Sequence, residues 1–298
     1  MDAGSLERRF GIGGIVRFER GNGGLTRAVV TTGAATGHVY LHGAHVTQFQ
    51  SGEGPPLIFT SSRSSFTAGR AIRGGIPVIF PWFGPNPDDP RAPDHGFART
   101  LPWAVKSVEA GAESVVVALG LESSETTRAA WPHAFQLGYR VSVGAVLEVT
   151  VTVENRSPAP FVFQEALHTY LQVGDVEAAT VQGLEGATYI DKADGMTRKR
   201  QGPDVVRIRG LTDRVYLGTE APCVVDDPVL HRTLRLEKHG SRTTVVWNPG
   251  AAKARTMADL APEDWRSMLC VETANAADDA VQLEPGQRHE MGARLGVL

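Results

Sequence analysis

Two residues in this 298-residue chain have the type and setting for proton chemistry. His168 lies in the run 160–173, PFVFQEALHTYLQV, which alternates as one long strand. Phe161, Phe163, Leu167, Leu171 and Val173 would share its apolar face. The opposite face carries Gln164, His168, Tyr170 and Gln172, with only Val162 and Ala166 between them. This is a row of hydrogen-bonding groups suited to a polar ligand. Imidazole changes charge near neutral pH, so His168 is either an acid–base group or a structural hydrogen bonder. The second residue is Glu272, at the end of MLCVE (268–272) and on the same face as Met268 and Cys270. Burial among apolar neighbours would raise its pKa and make it a proton acceptor near neutrality. The alternative is a structural anion held by an arginine or by backbone amides.

Arg73 in AIRGGIP and Arg99 in HGFAR flank an unusual segment, 70–103, which holds seven prolines and five aromatic residues. Proline at that density excludes a central strand, and the aromatics argue against a flexible linker. Guanidinium groups fit phosphate as a two-pronged fork, and adjacent glycines let backbone amides approach an anion. Each arginine is thus either an anion ligand or a brace for the loop.

Other motifs fail as sites. His42 and His45 in LHGAH are three apart on a predicted strand, so they point to opposite faces and do not converge on a metal. GIGG near residue 11 lacks the P-loop lysine and the dinucleotide spacing, and no GxSxG is present. Cys223 and Cys270 lack paired spacing and are expected to be buried and reduced. Neither metal nor cofactor is expected.

The elements that must hold these residues are strands. In VLEVTVTV (146–153), Leu147, Val149, Val151 and Val153 alternate with Glu148, Thr150 and Thr152, as in a half-buried antiparallel strand. Similar runs occur at 39–49, 114–121, 137–143, 205–209, 233–237, 243–247 and 268–272, and one short helix is expected at 261–268. Many strands and few helices predict an all-β sandwich. No linker or internal repeat interrupts it, so residues 25–298 are expected to form one domain, with 1–24 as an extension or a first strand. The net charge of -3 argues against a nucleic-acid surface. The N-terminus is unlike a secretory signal and no segment reaches the apolar length of a membrane span, which predicts a cytoplasmic location without membrane partners.

Four blocks together carry a family resemblance: HGAHVTQF at 42–49, RGGIPVIFPWFG with HGFAR between 73 and 99, ALHTYL at 166–171, and VWNPG through MADL to CVETAN between 246 and 275. In this order and spacing the chain resembles the hexose-6-phosphate mutarotases within the aldose 1-epimerase family, from about residue 25 to the C-terminus. The resemblance implies a large antiparallel β-sandwich, or supersandwich, with a sugar bound on the concave face of one sheet. It places the catalytic acid on His168, the catalytic base on Glu272 and the phosphate ligands on Arg73 and Arg99. Asp191 in TYIDK is expected to hold a sugar hydroxyl, with His95 and Gln164 beside the ligand. Asp94 departs from the Gln or Ala of related sequences and sets a negative charge at the rim. The implied substrate is a hexose phosphate, turned over by a monomer without a cofactor. The alternatives are a free-aldose epimerase and a non-catalytic carbohydrate-binding module. A glycoside hydrolase would need two flanking carboxylates, and the sequence offers one good candidate.

Overall fold

The computed structural model describes residues 2–298. The alternating pattern becomes strand as expected. Along Leu147–Asn155 the side chains of Leu147, Val149, Val151 and Val153 are buried, while Glu148 is exposed and Thr150 and Thr152 are partly so. Phe135–Val143 and Arg288–Val297 pair antiparallel on its two sides. These strands belong to a nine-stranded antiparallel sheet with one face on the core, the arrangement that a clean alternation of apolar and polar residues produces.

The second large sheet has eight strands. Its path runs Thr197–Arg200, Thr188–Asp191, Thr212–Leu217, Thr243–Asn248, Met268–Asn275, Glu165–Leu167 and Val78–Ile79, and Tyr170–Gln172 also pairs with Met268–Asn275. Every residue of Met268–Asn275 is buried, so both its faces are covered. A four-stranded sheet, Val16–Arg20, Thr26–Thr31, Ala35–Tyr40 and His45–Ser51, completes the body. The stretch before residue 25 therefore supplies its first strand and also a helix, Ala3–Phe10, that the sequence did not suggest. Asp2 caps that helix by accepting from the Ser5 N–H at 3.0 Å, and Arg8 and Arg9 stand in its last turn, where the helix dipole favours cations.

Segment 70–103 is packed onto the sandwich by its aromatics. The Phe80 ring centre lies 5.1 Å from that of Phe135, 5.5 Å from Phe163 and 5.3 Å from Trp131, in edge-on and tilted geometries that favour aromatic clusters. The irregular segment thus has an anchor in the core. No helix among the described residues is long and apolar enough to cross a membrane.

The expected long strand 160–173 is three short ones. Phe161–Phe163 pairs with Val281–Leu283, whereas Glu165–Leu167 and Tyr170–Gln172 pair with Met268–Asn275. At the breaks the backbone bonds to segment 70–103 instead: Gln164 N–H donates to the Pro81 carbonyl and His168 N–H to that of Pro77. The chain changes partners twice, so one alternation cannot run through it. The run 39–49 is likewise divided by a turn, and the helix expected at 261–268 is a 3-10 turn over Asp264–Ser267.

Glu165 is a cost carried by this core. Its side chain is inaccessible and neither carboxylate oxygen makes a hydrogen bond; His289 Nε2 is 3.5 Å from Oε1 but bonds Asn275 Oδ1 at 3.0 Å. Burial pushes the Glu165 carboxyl well above its ordinary value of 4.5. Folding then loses stability as pH rises from that ordinary value toward the raised one, because the unfolded chain ionises first. Glu165→Gln is expected to raise Tm at about pH 8, with the gain fading toward about pH 4. Equal destabilisation at both pH values in a thermal melt would show instead that the carboxyl is needed for packing.

Candidate active site

Strand register decides which side chains meet. Glu272 lies opposite Val245, and Cys270 opposite Trp247, across the pair Met268–Asn275 and Thr243–Asn248. Trp247 in turn lies opposite Asp213 of Thr212–Leu217. Directly paired residues share a sheet face. Asp213, Val245, Trp247 and Glu272 accordingly line one cavity of about 320 Å³, together with Arg73, Asp94, His95, Arg99, His168, Lys192 and Lys253.

Two expected ligands are not brought to this cavity. Asp191 lies opposite Arg214, one residue out of step with Asp213, so it pleats to the other face, and its carboxylate accepts from Lys199 Nζ at 2.8 Å. On this strand pair the aspartate that faces the cavity is Asp213. Gln164 sits at a strand break, and its side-chain oxygen accepts from the Ala277 N–H at 2.9 Å, bracing the turn after Asn275. Asp213, Lys192, Trp247 and Lys253 were missed in the sequence. The alternation of TDRVYL signals only that residues 213 and 214 face opposite ways, and choosing between the faces requires the cross-strand register.

The arginine segment is held from below by the two histidines of LHGAH. His42 Nε2 lies 2.7 Å from the Arg70 carbonyl and His45 Nε2 2.7 Å from the Gly74 carbonyl. Burial pushes His45 down to about 3, so it serves as a neutral donor. Gly75 follows at φ +70°, and a side chain there would run into the His45 ring and the Val46 carbonyl. The turn presents Arg73, whose Nε and Nη2 each lie 3.1 Å from Asp259 Oδ2 and whose Nη1 donates to the Tyr170 hydroxyl at 3.0 Å.

On the other arm, Gly96 at φ +69° packs so tightly on the Phe80 carbonyl that any side chain would collide with it. That turn presents His95 and Arg99. His95 Nδ1 accepts from the Gly84 N–H at 3.2 Å, which in the neutral ring leaves the proton on Nε2. Burial first, then Arg99, holds His95 well below its ordinary value. Arg99 Nη2 donates to the Asp94 carbonyl at 2.7 Å, while its buried Nε has no partner.

At the centre His168 Nδ1 and Glu272 Oε1 are 3.3 Å apart, with side chains only 8% and 1% exposed. No aligned hydrogen bond joins them, and His168 Nδ1 and Glu272 Oε2 lack partners. Burial, and then the charge of Asp213, pushes Glu272 well above the usual carboxylate range against the pull of Lys192 and Arg99. Burial, and then His95, Arg99 and Arg73, pushes His168 well below 6.5. Both groups are thus moved toward their neutral forms, and as a coupled pair they titrate together. The cavity can therefore take a proton from one atom of a ligand and return it to a neighbouring atom. Four cations, Arg73, Arg99, Lys192 and Lys253, against three acids, Asp94, Asp213 and Glu272, favour an anionic polar ligand.

The donor atoms of His168, Cys270 and Glu272 lie within 4.8 Å of one another. The set fits a metal poorly. Burial and the neighbouring Glu272 push the Cys270 thiol well above its ordinary value, and the arginines nearby oppose a further cation.

The family model for aldose 1-epimerase matches residues 28–295. Proteins of Salmonella typhimurium and Escherichia coli, each named "Putative glucose-6-phosphate 1-epimerase", are both 36% identical to this chain, over 83% and 80% of its length and 83% and 79% of theirs. The crystal structure of YeaD from Salmonella typhimurium superposes with a TM-score of 0.89 at 32% identity, covering 95% of this chain and 93% of that one. A galactose 1-epimerase from Lactobacillus acidophilus shares the fold at TM-score 0.74 and 13% identity, covering 95% and 98% of the two chains. The large antiparallel sandwich and the match over residues 28–295 place this chain in the aldose 1-epimerase family.

Proposed function

We propose that the protein is a hexose-6-phosphate mutarotase in which His168 and Glu272 are the acid and the base. The observation that carries the reading is the buried, hydrogen-bond-poor pair at 3.3 Å, opening on a cavity that also presents Arg73 and Arg99. The names of the relatives at 36% identity support glucose 6-phosphate as the sugar.

In the working form His168 is protonated and Glu272 is a carboxylate. Glu272 takes the proton of the anomeric hydroxyl while His168 gives its proton to the ring oxygen. The bond from C1 to the ring oxygen breaks as the C1 carbonyl forms. Rotation about the C1–C2 bond turns the other face of the aldehyde to the ring hydroxyl. Reclosure runs both transfers backward, so no net proton and no cofactor is consumed. His95, neutral with Nε2–H free, can donate to a sugar oxygen, and Asp213 can accept from a sugar hydroxyl. Arg73 and Arg99 hold the phosphate through charge-assisted hydrogen bonds.

Each proton-transfer group is worth ~10² to 10⁴ in rate. His168→Asn and Glu272→Gln are each expected to lower kcat by that order while keeping the wild-type fold by circular dichroism; wild-type turnover in either would remove it from the mechanism. The pH profile of kcat/KM is expected to be a broad bell. Activity falls on the acid side when a second proton enters the pair, a step held down by burial of His168 and then by His95, Arg99 and Arg73. It falls on the alkaline side when the last proton leaves, a step held up by burial and Asp213.

The clamp is tested separately. Arg73→Ala is expected to raise KM for glucose 6-phosphate by about tenfold or more while changing glucose far less, because a charged hydrogen bond is lost from the phosphate alone. Equal effects on the two sugars in steady-state kinetics would exclude Arg73 as a phosphate ligand and favour a free-aldose epimerase.

A further inference from the structure

Catalytic imidazoles are ordinarily fixed by a hydrogen bond from the ring nitrogen that does no chemistry to a carboxylate or a carbonyl. His168 has no such bond: Nδ1 is buried and without an aligned partner. Its ring is held by packing instead. Tyr170 stacks against it with ring centres 4.7 Å apart and planes within 9°, while Trp247 and His95 close edge-on at 6.1 Å and 5.7 Å. Trp247 is also edge-on to Tyr170, at 6.1 Å, so the stack has little room to slide.

The same tyrosine reaches the phosphate side. Its hydroxyl accepts from Arg73 Nη1 at 3.0 Å, and burial keeps it a neutral phenol, pushed up to about 12. Tyr170 itself is fixed at three backbone points: it pairs with Cys270, its N–H donates to the Gly75 carbonyl, and its carbonyl accepts from Phe59 N–H.

We infer that Tyr170 is a positioning residue with two separable duties, its ring orienting the His168 imidazole and its hydroxyl orienting the Arg73 guanidinium. The inference rests on the acid role of His168 and the phosphate role of Arg73 given above. Tyr170 touches no reacting atom. It sets the angle of the acid to the sugar ring and the distance between acid and phosphate ligand, which is the distance a hexose 6-phosphate must span between its ring oxygen and its phosphate.

The test uses the full-length protein with Tyr170→Phe and Tyr170→Leu, glucose 6-phosphate and glucose as substrates, and NMR of the His168 ring protons in histidine-labelled protein, assigned with His168→Asn. Tyr170→Phe keeps the stack. It should raise KM for glucose 6-phosphate about 2- to 10-fold more than KM for glucose, with the His168 ring shift retained. Tyr170→Leu removes the stack. It should lower kcat on both sugars by about tenfold or more and move the His168 ring protons downfield as ring-current shielding is lost. The inference is overturned if Tyr170→Phe affects both sugars alike, or if Tyr170→Leu leaves kcat and the ring shift unchanged and lowers only Tm. Should the wild type accelerate neither sugar, the mutarotase reading falls, and an unmoved ring shift in Tyr170→Leu would then overturn the stack as well.

Discussion

A carboxyl group on a strand with both faces covered sets the terms for the rest of the site. The Glu272 side chain is only 1% exposed, and no arginine fork or ring of backbone amides compensates its carboxylate. At 3.3 Å stands an imidazole that is also buried. Desolvation acts on the two in opposite directions, raising the acid and lowering the base, and so it works against the gap by which water favours the ion pair over the neutral pair. A site that must hand a proton back and forth needs that gap to be small. The open valence on Glu272 Oε2 fits the same account, since a carboxylate already satisfied by the protein would resist taking a proton from a sugar.

The remaining structure places charge around this pair without neutralising it. Arg73 is restrained by Asp259 and Tyr170, Arg99 by the Asp94 carbonyl, and the segment carrying both is tied to the four-stranded sheet by His42 and His45 and to the core by Phe80. Prolines and glycines let the segment turn where no strand could follow, and its aromatics give the irregular backbone a fixed seat. Asp94 adds an acid to the rim, yet Lys192 and Lys253 keep cations in the majority. Glucose 6-phosphate would meet an electropositive mouth and a nearly neutral floor.

Local alternation was readable wherever a strand keeps the same neighbours along its length. The pattern of 146–153 translated directly into buried Leu147, Val149, Val151 and Val153. It failed over 160–173, where the chain leaves one partner for another and segment 70–103 takes the intervening hydrogen bonds; nothing in the local run of residues encodes that exchange. The same limit explains Asp191 and Asp213, both in plausible strands, whose facing depends on cross-strand register, Asp191 against Arg214 and Asp213 against Trp247. Expecting His42 and His45 to diverge argued against a metal but could not show that both reach one loop. His168 and Glu272 were each ambiguous alone. The block resemblance paired them, and the cross-strand register put them 3.3 Å apart.

The central claim is that this buried pair opens and recloses a sugar ring. It is tested most directly by magnetisation-exchange NMR between the α and β anomeric protons of glucose 6-phosphate, with and without the enzyme, alongside galactose and mannose 6-phosphates and the three free sugars. Because the anomers also interconvert unaided, the quantity that matters is exchange above the enzyme-free rate. The account predicts faster exchange that scales with enzyme concentration and is greatest for a phosphorylated sugar. Exchange at the uncatalysed rate for every sugar would contradict it.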